Sequence, residues 1–215
     1  MQCYLHHVKV EWPAPTETAV EARARLADKF PRNALRRMTH LGMLVGAALD
    51  GVALTPTDAI VYASRFAETR ALEDFLRSFP LASPLLFQTS IHPGAVQQVL
   101  IGRQQPVARL WPMTGGPRLI AQALHTVMLE PAERVVLLGG EERGTWLLEH
   151  GVASERAFAF AAVFTREAAG AVAVVRREAE SPASGAVMEP SLEEFARGLA
   201  ERRALAGADW SLAWI

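Results

Sequence analysis

A single cysteine, Cys3, in 215 residues excludes an intrachain disulfide and any multi-cysteine zinc or iron–sulfur site. Cys3 falls in a strand-like run, where a thiol reads as a small buried hydrophobe rather than a nucleophile. Lysine is almost missing: only Lys9 and Lys29 occur, and arginine supplies the remaining positive charge, which we read as a bias of genome composition. Neither sign of charge prevails. The net charge of −1 marks no nucleic-acid or anionic-membrane partner. No apolar run reaches the ~18 residues of a membrane span. His6, His7 and Lys9 interrupt the start where a signal peptide needs an apolar stretch, so a cytoplasmic protein is expected.

Metal and phosphate motifs are also lacking. His6 and His7 are neighbours in a strand, so they point to opposite faces and cannot share one ion. His40, His125 and His150 form no visible cluster, and neither Gly115-Gly116 nor Gly139-Gly140 has the spacing of a phosphate-cradling loop. No metal and no cofactor are expected.

What is present is an alternation of strand-like and helix-like segments. Gln2 to Trp12 reads as a strand stopped by Pro13 and Pro15, and Thr16 to Phe30 as a surface helix capped by Thr16 or Thr18. Leu35 to Leu49 is apolar at helical spacing and ends at Gly51, a carboxyl-terminal cap signal. Ala59 to Ser64 is a short strand. Glu68 to Phe79 is an amphipathic helix with Leu72, Phe75, Leu76 and Phe79 on one face. Leu81 to Ser90 reads as an irregular buried connection, and Gly94 to Ile101 as a short helix ended by Gly102. Val107 to Trp111 is a strand. Leu119 to Leu129 is a helix with Ile120, Ala123, Leu124, Val127 and Met128 inward. Arg134 to Leu138 reads as a buried strand closed by Gly139-Gly140. The following Glu141-Glu142-Arg143 lies where open α/β sheets place sites, but reads as a solvated turn. Ala157 to Phe164 and Ala171 to Arg176 look like a hairpin, and Ser191 opens a last helix, running to about Ala206, with a capping box. Trp210 to Ile215 reads as a docked terminal strand. The pattern predicts an α/β domain with a central mixed sheet flanked by helices. We divide the chain into a main domain 1–180, a low-hydrophobicity linker 181–190, and a terminal helix with docked tail 191–215.

The most informative run is Val107 to Pro117, in which a strand meets Gly115-Gly116-Pro117 and an apolar helix follows. Acyl-transfer enzymes place nucleophiles at such elbows, where a helix amino terminus offers free N–H groups. Here the run carries Thr114, with no Cys or Ser.

Three stretches in order resemble the amino-terminal half of a β-ketoacyl synthase, a member of the thiolase-like fold. They are Arg36-Arg37-Met38-Thr39-His40 through Val45; Ser83-Pro84 through Ser90-Ile91-His92-Pro93-Gly94-Ala95; and Pro106 to Leu124 followed by Arg134 to Glu142. Ala157 to Val174 resembles the strand and loop that complete the half, so the similarity covers about residues 34 to 178. It implies a layered α/β/α architecture, amino-terminal half only. Thr114 stands where the resemblance puts the nucleophilic Cys, and the family's His pair would lie in a second half beyond this chain. A Thr hydroxyl is a poor nucleophile without an activating base. We expect Thr114 to be an inert residue capping the helix through its hydroxyl, and His92 to be a structural or interface histidine rather than a catalytic one.

The resemblance therefore implies a catalytically inactive partner. Such a chain would pair with an active ketoacyl synthase as a heterodimer, shape its acyl tunnel or chain length, and serve fatty-acid or polyketide-type, aryl polyene biosynthesis, as a chain length factor does. Acyl carrier protein is a further expected partner. The tunnel and interface residues implied are Leu86, Phe87, Ser90 and Ile91. Arg109, Leu110, Trp111 and Met113 would lie on a strand that pairs with the other subunit. Two alternatives remain at this point: an acyl-thioester hydrolase or transferase using Thr114 with His92, and a self-associating scaffold or homodimer.

Overall fold

The computed structural model describes residues 1–178 and 188–215, so positions 181–187 of the expected linker lie outside the described residues. The described strands are β1 (Gln2–Glu11), β2 (Ala59–Ala63), β3 (Arg109–Met113), β4 (Arg134–Glu141), β5 (Phe158–Thr165), β6 (Ala173–Arg177), β7 (Leu205–Ala206) and β8 (Trp210–Trp214). They form one mixed sheet in the order β3-β2-β4-β5-β1-β6-β8-β7. The β3, β2 and β4 strands run parallel, and every other neighbouring pair is antiparallel.

Helices cover both faces. On one lie α7 (Leu119–Leu129) and α9 (Leu192–Ala200), packed over a core that includes Val61, Leu137, Phe160 and Trp210. On the other lie α1 (Ala19–Arg25), α3 (His40–Ala48) and α6 (Gly94–Arg103), over Ile60, Tyr62, Val136 and Leu138. Residues 60, 62 and 61 divide between the two cores because strand side chains alternate. Four shorter or more peripheral helices complete the described set: α2 (Arg32–Leu35), α4 (Thr69–Arg77), α5 (Pro84–Thr89) and α8 (Thr145–Glu149).

Local chemistry fixes several boundaries. Thr18 and Ser191 cap α1 and α9, each with a capping box closed by Glu21 or Glu194. The run Leu35 to Leu49 is not one helix. Thr39 is extended and its side chain accepts from the Gly42 N–H at 3.0 Å, so α3 starts afresh there. Gly51, at φ +89, then takes the left-handed turn that only glycine adopts cheaply. The α7 helix has the expected bounds, and Ile120, Ala123, Leu124, Val127 and Met128 are all buried. Burying each of the large apolar side chains among them contributes roughly 1.5–3 kcal/mol.

Three expectations are corrected. The β5 and β6 strands are not a hairpin, because β1 lies between them and pairs with both. Gly139 and Gly140 do not close β4 but lie inside it. A Cβ on Gly139 would fall 2.4 Å from the Phe160 ring of β5, so the glycine admits a large neighbour rather than a turn. Leu81 to Ser90 is not a buried irregular link: it contains α5, capped by Ser83, and is largely exposed.

Candidate functional site

The parallel strands β2, β3 and β4 bring Ser64, Thr114 and Glu142 just beyond their carboxyl ends. Open α/β sheets place sites there. The run after β3 is not a sharp elbow, however. Residues 114–118 separate Met113 from α7, whose cap is Arg118 with no side-chain bond, so the expected capping by Thr114 is corrected. Thr114 is exposed, and neither Gly115 nor Gly116 has a positive φ. The strained geometry that presents a nucleophile at such turns is absent here.

His92 packs against β2. Its ring stacks on Tyr62 with centroids 5.1 Å apart, and Tyr62 belongs to the core under α3 and α6. Among the described residues no hydrogen bond joins Thr114 to a histidine, so His92 and Thr114 do not form a base–nucleophile pair. Instead His92 Nδ1 meets the buried carboxylate of Glu68 at 2.9 Å, while Glu68 Oε1 accepts from the Ala95 N–H at 3.0 Å. Glu68 thereby ties the start of α4 to the start of α6. His92 Nε2, Tyr62 Oη and Ser64 Oγ have no partner among the described residues, although each is buried.

Glu141 and Glu142 are not a solvated turn. Both are buried, and burial pushes both carboxyls up to about 7. His40 sits between Glu17 and Glu142, at 3.5 and 3.9 Å, and its own burial holds it below the usual imidazole range. The α8 start is fixed by another buried carboxylate, Glu73, which accepts from the Thr145 and Trp146 N–H groups at 2.9 Å each. Glu68 and Glu73 thus anchor helix starts. Sequence reading missed Glu68, Glu73 and Tyr62, because their partners are 24 or more positions away.

The implied interface residues fall on two surfaces. Trp111 and Arg109 lie on β3, which pairs only with β2 and so leaves one edge free among the described strands. Arg109 Nη1 and Trp111 Nε1 both donate at 2.7 Å to Glu130, a buried carboxylate just past α7 that sequence reading did not single out. Leu110 and Met113 are half-buried and pack inward on opposite faces. The second surface is made by α4 and α5. The apolar stripe of α4 does not enter the core: its buried residues are Ala71 and Glu73, whereas Leu76 is 45% and Phe79 55% exposed. Phe75 bridges to Phe79 and to Phe87, with ring centroids 5.4 and 5.3 Å apart. Phe87 is 50% exposed, with Leu85 and Ile91 also exposed nearby in sequence. Leu86 and Ser90 are half-buried, and Ser90 Oγ donates to the Phe87 carbonyl at 2.8 Å. The described residues contain no cluster of three or more metal-ligating side chains and no helix long and apolar enough to cross a membrane.

No protein-family model matches the chain, and no curated protein matches it by sequence. Solved structures do. One is the "Ketosynthase (ApeO) in Complex with its Chain Length Factor (ApeC)" from Xenorhabdus doucetiae. The match has a TM-score of 0.66 at 21% identity and covers 100% of this chain and 99% of that one. Another is the ishigamide ketosynthase/chain length factor, with a TM-score of 0.56 at 15% identity over 83% of this chain and 68% of that one. The chain has the fold of these ketosynthase-like proteins, the thiolase-like α/β arrangement that the sequence resemblance implied.

Proposed function

We propose that this chain is a non-catalytic, chain-length-factor-like subunit that pairs with an active β-ketoacyl-ACP synthase in polyketide-type, aryl polyene biosynthesis and shapes its acyl tunnel. The observation that carries this reading is the aromatic and aliphatic face of α4 and α5. A helix that buries a glutamate and turns Leu72, Leu76 and Phe79 outward is built to meet another protein. The fold it shares with a ketosynthase solved together with its chain length factor supports the same reading. So does the exposed, unactivated Thr114 where a nucleophile would stand. Acyl carrier protein is a further partner of the complex.

Co-expression with the synthase encoded alongside it, followed by size measurement, tests the proposal. A one-to-one complex is expected, and Phe87→Asp or Leu76→Asp should abolish it while leaving the melting temperature of the free chain unchanged. A chain that stays apart from its co-encoded synthases refutes it. A homodimer formed without any synthase would favour the scaffold reading instead.

A further inference from the structure

Between β2 and α6 the chain makes an excursion that carries α4 and α5. From Glu68 to His92 only Glu68, Ala71 and Glu73 are buried. No side chain of this stretch enters either core. Apolar burial therefore does little to hold α4 and α5, and two of the three buried residues are carboxylates.

Those carboxylates make two fastenings. One lies at the root, where the excursion begins and ends. Glu68 Oε2 meets His92 Nδ1 at 2.9 Å, and Glu68 Oε1 accepts from the Ala95 N–H at 3.0 Å. The other joins α4 to α8. Glu73 accepts from the Thr145 and Trp146 N–H groups at 2.9 Å each, and Arg77 Nη2 donates to Thr145 Oγ1 at 3.0 Å. Gly144 leaves room for that contact, since a Cβ there would fall 2.5 Å from Glu73 Oε1. Within the excursion the two helices hold each other. Phe75 bridges to Phe79 and Phe87, and the Ser83 N–H donates to Ser78 Oγ at 3.1 Å. A segment with few buried apolar contacts opens at a lower free energy than a core strand, and internal cohesion makes it open as a unit.

We infer that α4 and α5 form a flap that opens as one body while the sheet stays folded, hinged at Glu68 and His92 and latched by Glu73 to the start of α8. When the latch releases, Leu76, Phe79 and Phe87 move with the flap, so the apolar face changes its place relative to the sheet. A partner that grips this face better in one of the two positions sets the flap by that difference in affinity. The inference goes beyond the synthase pairing proposed above, because the opening belongs to the free chain.

Hydrogen exchange of the free full-length chain at rising, sub-denaturing urea tests it. Residues 69–77 and 84–89 are expected to exchange together, with protection at least about a hundredfold below that of β4 and β5. Their urea dependence should also be weaker, since that slope scales with the surface an opening exposes. Two variants strike the latch from opposite sides. Glu73→Ala removes the acceptor. Thr145→Pro removes a donor without touching α4, at the first position of α8, where proline is tolerated and the preceding Gly144 is already extended. Each should speed exchange in both α4 and α5 by at least about tenfold, with β4 and β5 still the best protected. Protection and urea dependence in α4 and α5 equal to those of β4 and β5 would overturn the inference. So would variants that speed α4 alone, or neither helix. Failure of the synthase pairing is read separately, because no synthase is present in these measurements.

Discussion

The indole Nε1 of Trp111 donates to Oε2 of Glu130 at 2.7 Å, so a buried carboxylate holds an exposed tryptophan at the free edge of the sheet. Arg109 occupies the other oxygen, and the Ala132 N–H adds a third donor. Burial raises the Glu130 carboxyl, but Trp111, Ala132 and Arg109 outweigh it and leave it below the ordinary range. Glu130→Ala removes the acceptor from all three donors and should cost about 1–3 kcal/mol, read as a lower urea midpoint at neutral pH. Because the native carboxyl titrates low, its contribution is full above the unfolded-state value and fades as pH falls through the native one. The gap between variant and wild type should therefore narrow in acid.

Glu142 predicts the opposite slope. Its native carboxyl is raised from 4.5 to about 7, so the folded state holds a proton that the unfolded chain has released over that window. Stability should fall as pH climbs from about 4.5 to about 7 and then level off. Glu142→Gln keeps the shape without the ionisation. It should match wild type near pH 5 and exceed it by roughly 2–3 kcal/mol at pH 8, measured by urea denaturation at both pH values.

Cys3 is buried in β1, and desolvation pushes its thiol up to about 12. A chromogenic disulfide reagent at pH 8 should find no reactive thiol in the folded chain and one equivalent after unfolding in urea. Fast reaction in the native state would contradict the burial.

Thr114→Ala should change little. The side chain is exposed and neither caps α7 nor bonds a histidine among the described residues, so stability should shift by no more than about 0.5 kcal/mol. Acyl-thioester turnover by the wild type that disappears in this variant would revive the hydrolase reading.

The parts legible in sequence are those governed by near neighbours. The Leu119–Leu129 helix follows from its own 3.6-residue period, and the Ser191 and Thr18 caps from a partner three positions on. Misreadings arise where distant residues decide. Gly139 looks like a strand end until the Phe160 ring is placed against it. Glu141 and Glu142 look solvated until the layers close over them. The stripe of Leu72, Leu76 and Phe79 has the period of a core-facing helix, and periodicity cannot tell a core from an uncovered surface. The three stretches that resemble a ketosynthase did convey the fold, which the chain shares with a solved ketosynthase-like structure at 21% identity. They could not convey that His92 is engaged by Glu68 and Tyr62.

The place of β1 between β5 and β6 sets a timetable for the chain. Tyr4 pairs with Thr165 on one side and Val174 on the other, so β1 leaves the ribosome long before either neighbour. At about 5–20 residues per second, roughly 8–30 s separate its emergence from theirs. Throughout that interval Leu5 and Cys3 have no sheet to enter. Closure of the sheet centre is a late, long-range event, and a nascent chain stalled before residue 158 should still expose β1 to proteases and chaperones.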